Sequence, residues 1–153
     1  MHASINKLWN AFLTEHSQNT ESTAQPPAWY FCDNEADANI CANLVLEGKK
    51  RATATSLWYF EQNQEPLPKV GDLDIVTDWN GVAQCIIRTT AVNLVAYKDI
   101  TQRHAELEGE GDSSLEWWRD AHWAYYSREM APKGQIPTED MLIAFQEFEC
   151  IYP

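Results

Sequence analysis

Three short stretches of the sequence hold the side chains that could do chemistry. The first is Gly48-Lys49-Lys50-Arg51-Ala52-Thr53. A glycine closes a helical pattern, three cations follow, and a threonine enters a β-rich run. Such a corner can present an ammonium and a hydroxyl to one pocket, where cations hold a phosphate or a polarised carbonyl. The same residues also suit a plain helix C-terminus, whose dipole favours Lys and Arg.

The second stretch runs from His104 to Asp112. From Glu106 onward, four carboxylates (Glu106, Glu108, Glu110, Asp112) and two glycines (Gly109, Gly111) occupy seven residues. Glycine lets backbone approach a ligand closely. Crowded carboxylates repel, which raises at least one pKa and creates a possible acid or base. Two other readings stay open: a solvated acidic loop leading into a helix N-terminus, and a hard-cation oxygen site. The spacing does not match the twelve-residue calcium loop, so no metal is expected there.

The third is the aromatic run Trp117, Trp118, His122, Trp123, Tyr125 and Tyr126. Aromatic side chains can sandwich a nucleobase or build a core. On a helix Trp117 and Trp118 point in different directions, so at least one packs inward. Arg119 and His122 lie three apart and share a face. His122 reads either as a packing or hydrogen-bonding residue or as a catalytic base. No nucleophile elbow, dinucleotide fingerprint, P-loop or H-E-x-x-H occurs, which argues against those enzyme classes.

The elements that must position these residues follow from periodicity and punctuation. Ile5, Leu8, Trp9, Phe12 and Leu13 share one face of a helix over 5–16. Ser17 to Pro27 is polar with two prolines and reads as a surface connection. Asp33 or Asn34 caps a second helix that stops at Gly48. Strands are predicted over Ala54–Phe60, Leu73–Trp79 and Val82–Val95, with Asn80-Gly81 as a hairpin turn. A short helix over Asp99–Leu107, a longer one from Ser113 or Ser114 to Met130, and a strand over Met141–Ile151 complete the chain. This describes an α+β domain, a small β-barrel or curled, mostly antiparallel sheet flanked by helices.

Composition bounds the rest. With 153 residues and 44% apolar side chains, the chain suits one globular domain: residues 1–28 give the N-terminal helix and connection, 29–153 the core. Eleven Lys and Arg against 23 Asp and Glu leave a net charge of −12, which disfavours a broad grip on duplex DNA or an anionic membrane. No apolar run is long enough to span a bilayer, and no secretory signal is evident. Cys32, Cys41, Cys85 and Cys150 form no C-x-x-C pair, so a cysteine zinc site is not expected. Each reads as a reduced core thiol, and a cytoplasmic protein is expected.

The sequence resembles the ASCH domain family, whose fold is the PUA-like β-barrel. The resemblance rests on Trp29-Tyr30-Phe31, Glu47 to Thr53, Val70-Gly71-Asp72, Glu108-Gly109-Glu110-Gly111-Asp112, and Trp118-Arg119 with His122. The Gly-Lys-Lys corner together with the Glu-Gly-Glu-Gly-Asp run is similar to a larger bacterial subgroup. The resemblance implies an RNA-associated module or a small enzyme, with no cofactor. One branch hydrolyses N4-acetylcytidine with a Lys, a Thr and a Glu; another member is a ribonuclease dependent on the corner Lys. By similarity these roles fall on Lys50, Thr53 and Glu108. Thr53 would then be the nucleophile and Lys50 its base, with Glu108 orienting Lys50 and relaying a proton. Lys49 or Arg51 would hold a phosphate or oxyanion, and Glu110, Asp112, Trp118, Arg119 and His122 would complete the substrate site. A neighbouring Glu, however, favours charged Lys. A protonated Lys50 would instead stabilise negative charge while Glu108 aims a water. The expected partner is a small nucleoside or single-stranded RNA; the alternatives to an amidohydrolase are an RNA-binding or RNA-cleaving module and a non-catalytic sensor of a nucleotide-like ligand.

Overall fold

The structure is a computed structural model and describes residues 1–16 and 22–153. Five residues of the expected polar connection, 17–21, lie outside the described residues. In chain order the elements are α1 (Ala3–His16), β1 (Ala28–Trp29), α2 (Glu35–Leu46), β2 (Ala52–Ser56), α3 (Leu57–Asn63), β3 (Leu73–Thr77), β4 (Ala83–Ala96), α4 (Gln102–Glu108), α5 (Leu115–Met130) and β5 (Leu142–Tyr152). Short 3₁₀ turns follow β4 and α5.

The strands form one sheet in the order β1-β3-β4-β5-β2, antiparallel except for the β1–β3 pair. β1 and β2 are edges, so the sheet is open; of the two expected forms it is the mostly antiparallel sheet and not the closed barrel. β4 is long enough to pair with β3 on one side and β5 on the other, with bulges at Ile86/Ile87 and Thr89/Ala91 that increase local twist.

Alternation along the strands assigns the helices to faces. Ile75 and Ile86 meet Ile5, Trp9 and Phe12 of α1. Their neighbours Val76, Cys85 and Ile87 point the other way and meet Cys41, Ala42 and Val45 of α2. Ala52, Ala54, Ile143 and Phe145 pack under Ala105 of α4 and Trp118 and Tyr126 of α5.

Local chemistry sets the boundaries. Asn34 caps α2 by accepting the Asp37 amide at 3.0 Å. Ser114 caps α5 by accepting the Trp117 amide at 3.0 Å. The Asn80-Gly81 turn forms as expected, with Gly81 N–H donating to Asp78 O at 3.0 Å. The expected strand over Ala54–Phe60 is corrected: it ends at Ser56, whose hydroxyl accepts the Tyr59 amide at 3.1 Å and starts α3. The aromatics Trp58, Tyr59 and Phe60 are therefore helical, because a side-chain cap outweighs their strand preference. α4 begins at Gln102, later than expected, since Tyr97–Asp99 is a separate turn. The cysteines also need correction: Cys41 and Cys85 are buried, Cys32 is half-buried, and Cys150 is exposed. Among the described residues, no helix is long and apolar enough to cross a membrane.

Candidate active site

The site begins where α2 stops. The amides of Lys49 and Lys50 both donate to Leu44 O, at 2.9 and 3.0 Å, and turn the chain inward. Arg51 N–H then donates to Leu107 O at 2.7 Å, tying this corner to the end of α4. Gly109 closes α4 with φ 65°, and a Cβ there would lie 2.3 Å from Lys49 O. Only glycine permits that approach, which is why the two motifs, far apart in sequence, can meet.

The Lys50 ammonium is buried between them. It donates to Ala52 O at 2.8 Å and to Glu108 Oε2 at 2.8 Å, and lies 3.5 Å from Glu110 Oε1. It also sits 5.0 Å from the Phe31 ring centre. The other Glu108 oxygen, Oε1, accepts from Trp118 Nε1 at 3.1 Å and pairs with His122 Nε2 at 3.2 Å. His122 stacks on Trp118 at 4.0 Å and its Nδ1 lies 2.8 Å from Trp118 O. Both Glu108 oxygens are thus committed. Glu110 Oε1 accepts the Cys41 thiol at 2.7 Å, while its second oxygen has no donor among the described residues.

Charge follows from this geometry. Burial pulls Lys50 down, but the Glu108 and Glu110 carboxylates outweigh it and hold the ammonium above its ordinary value. Burial raises Glu108, but Lys50 and His122 overcome this and hold it below the usual carboxylate range. For Glu110 burial wins over Lys50, and the charge on Glu108 adds to it, so its pKa is raised. Burial lowers His122, yet the Glu108 carboxylate holds it above its ordinary value. Lys50 is therefore an ammonium and a poor base, Glu108 a fixed anion, and Glu110 the adjustable carboxyl group.

This cluster forms one wall of a cleft of about 1880 Å³. On β2, Ala52 and Ala54 face the core, so Thr53 and Thr55 face the cleft. Gln146, opposite Thr53 in register on β5, lines it too. Trp29, Tyr30, Phe31, Tyr59, Phe60, Trp79, Trp117 and Tyr125 supply aromatic surface. Eight carboxylates border the cleft: Asp33, Asp37, Glu65, Asp72, Asp74, Glu108, Glu110 and Glu129. Its only Lys or Arg among the described residues are Lys50 and Arg128. Arg128 is held by Asp33 at 2.8 Å.

Of the residues singled out in sequence, Lys50, Thr53, Glu108, Glu110 and His122 line this cleft, and Trp118 lies behind it as a donor to Glu108. Four others are not brought there. Lys49 is exposed and paired with Glu47 at 2.7 Å, and Arg51 is exposed. Asp112 accepts the Ser114 amide at 2.9 Å, as the helix-start reading of that loop expects. Arg119 reaches Lys98 O at 3.4 Å, with its Nε buried and unpartnered among the described residues. Trp117 and Tyr125, from the aromatic run singled out in sequence, also line the cleft, whereas sequence reasoning missed Cys32, Cys41 and Gln146 as site residues. Phe31 carried a signal only through the Trp29-Tyr30-Phe31 motif.

Comparison with known proteins agrees with this architecture. A comparison with curated proteins gives no match. The crystal structure of an ASCH domain from Lactobacillus crispatus JV V101 is 36% identical, with a TM-score of 0.93 over 100% of this chain and 97% of that one. Protein EF3133 from Enterococcus faecalis V583 is 31% identical, with a TM-score of 0.89 over 99% of this chain and 90% of that one. The ASCH domain profile matches residues 27–152. With the Lys50 corner and the glycine-carboxylate loop both inside that span, the chain belongs to the ASCH domain family.

Proposed function

We propose that this protein hydrolyses an amide on an unphosphorylated modified nucleoside, N4-acetylcytidine being the type of substrate. The observation that carries the reading is the Lys50 ammonium, held between Glu108 and Glu110 at the wall of an aromatic cleft. Two of its three protons are committed, to Ala52 O and Glu108. The third faces Glu110 Oε1 at 3.5 Å, beyond an ordinary hydrogen bond, and an acyl oxygen in the cleft would take it, where a fixed cation stabilises the charge that develops on attack. The aromatic lining suits a nucleobase. The bordering carboxylates suit a neutral substrate better than a phosphodiester chain. The family's association with RNA and nucleotides fits a ligand of this general class.

In the reaction, Thr53 attacks the acyl carbon and its proton passes to the second oxygen of Glu110. The C–N bond breaks and Glu110 returns the proton to the leaving amine. Water then cleaves the acyl-threonine ester, giving acetate and free threonine. Lys50 serves as the electrophile, not the base, and Glu108 fixes its position.

The test is incubation of pure protein with N4-acetylcytidine, with cytidine followed by chromatography. The parent should release cytidine, Lys50→Met should be slower by about 10²–10³-fold, and Glu110→Gln by at least about 10²-fold. Absence of cytidine at high enzyme loading, or full activity in Lys50→Met, rejects the reading.

A further inference from the structure

The reaction just described leaves two nucleophilic side chains on the cleft wall without a role. Cys32 stands between β1 and α2, and Cys41 on α2; both line the cleft. Their sulfurs are 3.6 Å apart, and Cys41 Sγ is 2.7 Å from Glu110 Oε1. The two sulfurs and a Glu110 oxygen all lie within 4.8 Å of one another. Zinc binds thiolate sulfur at about 2.3 Å, so a tetrahedral site separates two sulfurs by roughly 3.8 Å. The observed separation is close to that value and far from the roughly 2.05 Å of a disulfide. Cys32 is also held at φ 66°, in the left-handed region that non-glycine residues rarely adopt. Strain of this kind gathers at ligand sites.

We propose that Cys32, Cys41 and Glu110 form a binding site for a thiolate-seeking divalent cation, zinc(II) first, with a fourth position open to the cleft. On binding, two Zn–S bonds replace two S–H bonds, both protons leave to solvent, and Glu110 supplies a carboxylate oxygen. The metal with these three ligands carries a net charge of −1, and the Lys50 ammonium, shared with Glu108, lies 3.5 Å from Glu110 Oε1. A rival trio, Glu108, Glu110 and His122, also has its ligand atoms within 4.8 Å of one another. There, however, the Lys50 ammonium already bonds Glu108 at 2.8 Å, beside Trp118 and His122 on the other oxygen. The ammonium is hydrogen-bonded within that trio, whereas in the thiol trio it only approaches Glu110, at 3.5 Å, and the two sulfurs carry exchangeable protons. The site shares Glu110 with the proposed reaction, yet zinc binding does not depend on that reaction.

The experiment uses the full chain, reduced and metal-free, without substrate. Zinc is titrated in competition with a chromogenic chelator, and cobalt(II) is followed by absorption. The parent should bind one zinc, and cobalt should give a sulfur-to-metal charge-transfer band with tetrahedral visible bands. Cys32→Ser should weaken zinc at least about 100-fold, a larger loss than an outer-shell change produces, while Cys150→Ser should leave it unchanged. A second measurement needs no variant: zinc should protect Cys32 and Cys41, but not exposed Cys150, from alkylation mapped by mass spectrometry. A parent that retains no zinc, cobalt bound without the sulfur band, or alkylation of Cys32 and Cys41 unaffected by zinc overturns the proposal. Failure to hydrolyse N4-acetylcytidine with zinc binding intact would reject only the amidohydrolase reading.

Discussion

Asp74 shows how one side chain on the cleft wall can carry a measurable share of the pH response. Burial pushes its carboxyl up from 3.8 to about 6, with Trp29 Nε1, donating at 2.9 Å, opposing the rise and Asp72 adding to it. The native state therefore holds a proton that the unfolded chain has released. Stability from this group is full below pH 3.8 and is lost as pH rises through about 6. Asp74→Asn keeps the acceptor for Trp29 and removes the charge. It should raise stability at pH 7.5 by about 1–2 kcal/mol, after discounting for partial solvent access, with no gain at pH 3.5. Urea unfolding at the two pH values checks this, and an equal effect at both would refute it. Nothing in the sequence marks Asp74, because its neighbours Trp29 and Asp72 form no spacing pattern with it. Lys50 and Glu108 were legible for the opposite reason: each sits beside a glycine corner whose chemistry stands out. The pairing of Cys41 with Glu110 spans 69 residues and leaves no local trace.

Among the elements, the junction of α4 with the turn after α2 does most to assemble the cleft wall. Gly109 lies in the left-handed region, and its missing Cβ makes room for Lys49 O. Gly109→Ala meets both backbone strain and a backbone clash, so it should cost about 2–4 kcal/mol. It should also part Lys50 from Glu108 and depress the proposed hydrolysis beyond what the stability loss explains. Gly134→Ala, also at positive φ but with open space around it, is the control for strain alone. Thermal melts together with cytidine release compare the two; equal losses would mean that close approach contributes nothing. Helix starts at Asp33 or Asn34 and at Ser113 or Ser114, the Asn80-Gly81 hairpin and the long strand after it were all readable from residue types, while the choice of Asn34 and Ser114 as the caps was not. The two-residue strand β1 was not, since its only support is the parallel pairing of Ala28 and Trp29 with Ile75 and Val76. α3 was misread because three aromatics in a row resemble a strand until Ser56 is recognised as its cap.

For the whole molecule, the net charge of −12 and the carboxylate border of the cleft act in the same direction. Long-range repulsion disfavours a polyanion, while an uncharged nucleoside experiences none of it. Labelled single-stranded RNA should therefore show no saturable binding at low salt with protein up to about 100 µM, where phosphate contacts would be strongest. Fluorescence anisotropy tests this, and tight binding that weakens steeply with salt would favour the RNA alternative over the amidohydrolase. The α+β class was visible in the alternation of helical and strand patterns. The open sheet was not, because closure depends on whether the edge strands β1 and β2 meet, and local sequence does not encode that.

The segment before residue 27 lies outside the region that the ASCH profile matches, yet α1 seals one side of the sheet over Ile75 and Ile86. Trimming the protein to the matched span would bare those two isoleucines to water and strip away Trp9 and Phe12, which cover them. Sequence kinship and autonomous folding thus draw their frontiers at different places in this molecule, and any shortened version for crystallography or screening needs its amino-terminal helix.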